Sequence, residues 1–175
     1  MSVKLYKIFN QENKPACQSY AIATLVSSLL NREVDADKLF SECDRNGGGT
    51  NLKAALAWCK EKGVPMIDGT RVKIDYFFFV PNITGFKSAI DNNGGVVVGY
   101  CLHDRDRLEN RIVDGVLSRR PYDVHAMAVY DYDNHYFYFA NSWGEKWNGD
   151  GKMKVPYVLM SQDFVKEAYY ITIQK

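Results

Sequence analysis

No apolar run in this chain approaches the roughly 20 residues that a helix needs to cross a bilayer. The longest, such as Tyr76 to Val80 and Val96 to Leu102, fall far short, which excludes a transmembrane helix. The start, Met1-Ser2-Val3-Lys4-Leu5-Tyr6-Lys7, lacks the apolar segment and small-residue cleavage site of a signal peptide, so a route outside general secretion is expected. An excess of one charge is lacking too, since 22 Lys and Arg stand against 21 Asp and Glu. With no global field to draw them, neither nucleic acid nor a membrane is expected as a partner. The basic stretch from Arg105 to Arg111 is interleaved with Asp104, Asp106 and Glu109 and reads as a solvated loop.

Cysteine is sparse and scattered, at Cys17, Cys43, Cys59 and Cys101. No pair has Cys-x-x-Cys spacing and no His lies beside one at metal-ligand spacing, so no metal site and no cofactor is expected. Cys59 falls on the apolar face of a helical stretch and reads as a small buried hydrophobe. A disulfide from Cys43 to Cys59 or Cys101 is the minority reading. Asn82-Ile83-Thr84 matches a glycosylation sequon, which means little without a secretory route. His103, ending a strand at a charged loop, and His135, just after a hairpin turn, have no functional partners in sequence.

What is present is enough apolar sequence, 46%, to give 175 residues one core and most simply one domain. The first half has helical spacing. Ala21, Ile22, Leu25, Val26, Leu29 and Leu30 form the apolar face of a helix starting at Cys17 or one residue earlier, with Pro15 stopping it from extending backward. Asp35 to Cys43 is a short helix capped by Asp35, and Leu52, Ala55, Leu56 and Cys59 stripe a third that ends near Gly63. Ile83 to Asp91 is a further helix. The second half changes period: Val96 to Leu102, Val124 to Tyr132, Tyr136 to Ala140, Lys152 to Val155 and Tyr169 to Ile173 are rich in Val and aromatics and read as strands, with Asp133-Asn134 turning a hairpin.

Three segments carry chemistry. Gln11-Glu12-Asn13-Lys14-Pro15-Ala16-Cys17 puts a thiol at a helix N-terminus, where unpaired amides favour a thiolate. Asp123-Val124-His125-Ala126-Met127-Ala128-Val129 supplies an imidazole, and Asn141-Ser142-Trp143-Gly144-Glu145-Lys146-Trp147 an amide sixteen residues beyond it. A nucleophilic thiol needs a base, the base needs an orienting acceptor, and a developing oxyanion needs donors. Cys17, His125, Asn141 and Gln11 provide one residue for each. Trp143 beside the Asn would keep water from the Asn–His hydrogen bond.

The order and spacing of these residues resemble the papain family of cysteine peptidases over nearly the whole chain. Gln11, Cys17, His125 and Asn141 match that family's oxyanion-hole Gln, nucleophile, base and orienting Asn; Trp143, Trp147 and Gly151 match its later Trp and Gly positions. Asn46-Gly47-Gly48 is similar to its glycine-rich cleft wall, and Gly94-Gly95-Val96-Val97-Val98 to its first barrel strand. The resemblance implies an α+β, two-lobe fold for a single domain over residues 1–175. A mainly helical lobe to about residue 75 would face a mainly antiparallel, β-barrel-like lobe from about 76 onward, with the active-site cleft between them. It implies hydrolysis of peptide bonds in a peptide or protein substrate through a Cys17 acyl-thioester, with the thiol held well below its ordinary value by an ion pair with His125. Gly47 and Gly48 would let an extended substrate approach, and Val124 and Ala126 would line a pocket of apolar preference.

The chain departs from the pattern at three places. Gln18 follows the nucleophile where Trp is usual, and Ala16 precedes it where Ser or Gly is usual. Lys14 stands where secreted members carry a disulfide cysteine, which fits a reducing, cytoplasmic compartment. The sequence begins too close to Gln11 to show a pro-segment, so restraint by a separate inhibitor protein is one expectation. Two alternatives to a peptidase are a catalytically silent binding or inhibitory module and a thioester-based acyl or amide transferase.

Overall fold

The computed structural model of the chain describes residues 3–44, 50–102, 112–113, 116–117, 123–161 and 164–174. Helix α1 (Cys17–Leu30) begins where the apolar spacing starts and is buried from Ser19 to Ser28. A helix enclosed on all sides must satisfy its hydroxyls internally. Thr24 Oγ1 donates to the Tyr20 carbonyl at 2.8 Å, Ser28 Oγ donates to the Thr24 carbonyl at 2.7 Å, and Ser27 Oγ accepts from the Val34 amide at 3.0 Å. Ile22, Leu25 and Val26 are at most 1% exposed, and each stabilises the fold by about 1.5–3 kcal/mol on leaving water. The helix stops where Asn31 turns left-handed with φ 51°.

Asx residues start the other helices by accepting a backbone N–H three residues on. Asp35 caps α2 (Ala36–Cys43) through Lys38, Asn51 caps α3 (Leu52–Lys62) through Ala54, and Asn82 caps α4 (Ile83–Asn93) through Gly85. The sequon asparagine is therefore a helix cap. Gly63, at φ 81°, ends α3.

Two short strands, β1 (Val64–Pro65) and β2 (Arg71–Val72), pair with each other. The main sheet contains β3 (Ile74–Phe79), β4 (Val96–Leu102), β5 (Ile112–Val113), β6 (Val116–Leu117), β7 (Asp123–Tyr132), β8 (Tyr136–Ala140), β9 (Lys152–Pro156) and β10 (Val165–Ile173), in the order β3-β10-β4-β7-β8-β9-β6-β5. The six strands from β3 to β9 run antiparallel, and β6 joins β9 parallel. Because side chains alternate along a strand, each face has its own core. Val97, Ala126, Ala128, Tyr169 and Ile171 pack with α1, whereas Val96, Val98, Tyr100, Met127 and Val129 pack with Phe86, Ala89 and Ile90 of α4.

Among the described residues, the barrel-like closure expected of the strand half is not found. The sheet is open, with β3 at one edge and β5 at the other. The run Tyr76 to Val80 contains a strand that its sequence pattern hides: Tyr76, Phe78 and Phe79 are exposed, so burial does not alternate. β10 starts at Val165, four residues before the expected Tyr169, because a register shift between Val165 and Glu167 breaks its alternation. The stretch from Arg105 to Arg111 that was expected to be a loop, with His103 and the expected cleft-wall residues Gly47 and Gly48, lies outside the described residues. Cys17, Cys43, Cys59 and Cys101 are in no disulfide, and Cys59 is buried as expected.

Candidate active site

Cys17 is the first residue of α1, and Ala16 before it makes no side-chain cap. The opening amides of the helix therefore remain to bond elsewhere. The Cys17 and Gln18 amides, with the Ala126 amide from β7, hydrogen-bond the thiol. Burial nevertheless pushes the Cys17 thiol above its ordinary value, and these amides only partly offset it. This differs from the depressed value that the resemblance implies, for a physical reason. A lone thiolate there is poorly solvated, so its charge requires a cation beside it as well as amide donors. The Ala126 contact brings the His125 segment against the Cys17 end of α1.

His125 is 8% exposed and opposite Tyr100 in the sheet. Its Nε2 lies 2.8 Å from Asn141 Oδ1. An amide oxygen only accepts, so Nε2 carries the proton and Nδ1 is the basic nitrogen of the neutral ring. Trp143 covers the imidazole, ring centroids 4.7 Å apart, and Trp147 meets Trp143 edge-on at 5.4 Å. Asn141 is fully buried, and its amide donates to the Gly151 carbonyl at 2.9 Å. Gly151 must be glycine: at φ 75° its Cβ would come within 2.4 Å of Ile8 Cγ2 and 3.1 Å of the Gly144 carbonyl.

Gln11 arrives from a segment tied to the Asn141 loop. Asn10 bridges Trp143, the Gly144 amide donates to the Phe9 carbonyl at 3.0 Å, and the Gln11 amide donates to the Ser142 carbonyl at 2.7 Å. The Gln11 side chain, 4% exposed in residue terms, donates from Nε2 to the Lys14 carbonyl at 2.9 Å and accepts at Oε1 from Ser142 Oγ at 2.5 Å. Ser142, 131 residues from Gln11, stood in the motif with no role given to it by sequence.

Of the expected substrate wall, Val124 is 58% exposed and Ala126 is buried. A residue that sequence reasoning did not single out stands in the same row of the sheet as Ala126. Glu167 lies opposite Gly99, which lies opposite Ala126, so the three share one row and one face of the sheet. Strands stand about 4.8 Å apart, which places the Glu167 backbone about 10 Å from that of Ala126. Gly99 leaves room between them, since a Cβ there would come within 2.9 Å of Glu167 Cγ. Glu167 Oε1 accepts from the Leu52 amide at the start of α3, 3.2 Å away. Its position depends on register, which no local pattern reveals. A separate hollow of ≈ 530 Å³, lined by Tyr130, Tyr138, Asn148, Asp150, Lys152, Met153 and Lys154, contains none of the site residues. Among the described residues, no cluster could hold a metal ion and no helix is long and apolar enough to cross a membrane.

No family sequence model and no curated protein sequence matches this chain. Solved structures do. Xylellain, a cysteine protease from Xylella fastidiosa, matches with a TM-score of 0.84 at 13% identity, over 97% of this chain and 83% of that one. A Carica candamarcensis cysteine protease matches with 0.78 at 17% identity over 98% of both chains. Digestive procathepsin L 3 of the Tenebrio molitor larval midgut gives 0.74 at 13% identity, over 97% of this chain and 67% of the other. The chain has the fold of the papain-like cysteine proteases.

Proposed function

We propose that this chain is a cysteine peptidase, a single domain over residues 1–175 that cleaves peptide or protein substrates where the N-terminal ends of α1 and α3 meet the sheet. One observation carries the reading: His125 Nε2 bonds Asn141 Oδ1 at 2.8 Å on the strand whose next residue hydrogen-bonds the Cys17 thiol. Asn141 fixes the tautomer, so His125 Nδ1 takes the Cys17 proton as the sulfur attacks the substrate carbonyl. The oxyanion is met by the Cys17 amide and a Gln11 Nε2 proton. As the intermediate collapses, the C–N bond breaks and the imidazolium protonates the leaving amine. Water then attacks the thioester, losing its proton to His125, and the carboxylic acid departs from a restored thiol. Trp143 shelters the His125–Asn141 bond throughout. Gly47 and Gly48 would flank an extended substrate.

The wall beside Val124 and Ala126 favours an apolar side chain, and Glu167 in the same row adds an acceptor for a cationic tip. A long side chain with an apolar stem would meet both. The test is intact-mass labelling with a peptidyl epoxysuccinate at mildly acidic pH, on the native chain, Cys17→Ala and His125→Ala, with cleavage of a pooled peptide library. Labelling confined to Cys17 and dependent on His125, with cleaved peptides, is expected. A native chain that neither labels nor cleaves overturns the reading in favour of a binding module.

A further inference from the structure

We infer that Gln18 is a positioning residue that fixes the start of α3 against the Cys17 end of α1 and so sets the wall proposed to flank an extended substrate; the inference rests on the peptidase reading above. Gln18 is half-buried and makes two kinds of contact. Its main-chain amide hydrogen-bonds the Cys17 thiol, and its side-chain Nε2 donates to the Thr50 carbonyl, 32 residues on. Thr50 stands two residues after Gly48 and directly before Asn51, the cap of α3. The first bond of that helix runs from the Ala55 amide to the Asn51 carbonyl at 3.1 Å, so the Thr50 carbonyl lies outside the helical ladder and needs a donor from elsewhere. Trp is usual at the position of Gln18 in the papain pattern, so the tether is particular to this chain.

A second element holds the same segment. The Leu52 amide, one of the unpaired first-turn donors of α3, reaches Glu167 Oε1 of β10 at 3.2 Å, and Leu52 itself is 1% exposed. Glu167 shares its row with Gly99 and Ala126, and the Ala126 amide returns to the Cys17 thiol. The contacts close a ring from α1 to the start of α3, to β10, across β4 to β7, and back to the thiol. Without the Gln18 donor the Thr50 carbonyl would turn to water, and in that ring residues 50–52 would be held at Leu52 alone. A binding segment that is already ordered costs less to bind, so loosening it weakens substrate binding while the thiol, its base and the oxyanion donors stay in place.

The experiment compares the native chain with Gln18→Met, which keeps the main-chain amide, the length of the side chain and a good helix former, but has no donor. kcat and KM are measured on two peptide amides, one with a single residue on the acyl side and one with several, beside the rate of Cys17 alkylation by iodoacetamide; urea unfolding shows that the variant is folded. On the longer substrate KM is expected to rise roughly 3- to 10-fold, the worth of one hydrogen bond, with kcat within about twofold. The short substrate, which does not reach the wall, and iodoacetamide, which needs none, should each react within about twofold of the native rate. Gln18→Ala, which also lacks the donor, is expected to show the same split, and it separates loss of the bond from any strain that Met introduces. An unchanged KM on the longer substrate, an equal loss on the short one, or alkylation that falls in step with either would each overturn the inference, while native cleavage keeps the peptidase reading. A native chain that alkylates at Cys17 yet cleaves no peptide overturns the peptidase reading and this inference with it.

Discussion

The two arms of the site are built by different means. The Cys17 arm is a helix end: the thiol is half-buried, and its hydrogen-bond donors are main-chain amides of Cys17, Gln18 and Ala126. The His125 arm is a sheet end, where side chains bond side chains and two tryptophans seal the result. Backbone amides at a helix start come with the fold, and they do not by themselves hold a thiolate, since burial wins and raises the thiol. On the proposed peptidase reading, activation of Cys17 would then fall to the imidazole, with the helix end a supporting part.

Removing the imidazole is the sharpest way to break that assignment. In His125→Ala, Cys17 is a half-buried thiol with a raised pKa, protonated through its ordinary range and ionising only as pH rises through the higher value. Iodoacetamide alkylation at pH 6 should fall at least about 100-fold, and its rate should climb only above the usual thiol range of about 8.5. The native chain should stay reactive down to the acid limb of an ion pair. A variant as reactive as the native chain at pH 6 would mean that helix-end amides suffice.

Next in size is Asn141→Ala, which strips the acceptor from both His125 Nε2 and the Ser142 amide. A roughly 10- to 100-fold fall in kcat is expected, with Cys17 still titratable by an alkylating agent. Retained kcat would show that the Trp143 stack alone holds the imidazole. Gly151→Ala probes where the arms meet, because its Cβ would strike Ile8 in the segment leading to Gln11, while its carbonyl accepts from Asn141. A loss of about 1–3 kcal/mol in urea unfolding is expected from overpacking at a left-handed position. An unchanged midpoint would refute the tight packing described there.

The helix arm was legible in sequence because its signals are local: the apolar face of α1 from Ala21, the Asp35 cap and the Gly63 stop each occupy a few adjacent residues. The roles of His125 and Asn141 could be proposed from motif order, and their 2.8 Å contact then appeared across sixteen residues. Ser142 and Glu167 were not legible in the same way. Each bonds a partner more than a hundred residues away, Gln11 in one case and the Leu52 amide in the other, and a buried hydroxyl or a half-buried carboxylate has no periodicity to betray it. β3 escaped for the opposite reason. As an edge strand with aromatics on both faces it lacks the alternation that marks a half-buried strand.

Lys14 gives the smallest effect and the finest test of how the arms are held. Where the resemblance places a disulfide cysteine, Lys14 Nζ pairs with Asp37 Oδ1 at 2.6 Å, and the same oxygen accepts from Tyr20 at 2.7 Å. The Lys14 and Tyr20 hydrogen bonds hold the Asp37 carboxyl below its usual range, while Asp37 raises the ammonium. The depressed acid contributes above the ordinary Asp range and loses its contribution as pH falls through the lowered value. The raised amine contributes below the ordinary Lys range and loses it as pH rises through the higher value, so the pair is complete at neutral pH. With side chains 38% and 64% exposed, it should contribute no more than about 1 kcal/mol. Lys14→Met should therefore lower urea stability by that much at low salt, and by almost nothing at 1 M salt, where charges are screened within about 3 Å. The backbone carbonyl of Lys14 also receives Gln11 Nε2. If kcat fell more than about tenfold in Lys14→Met while stability barely changed, the ion pair would be holding the oxyanion donor in place, and the helix arm would be more than a supporting part.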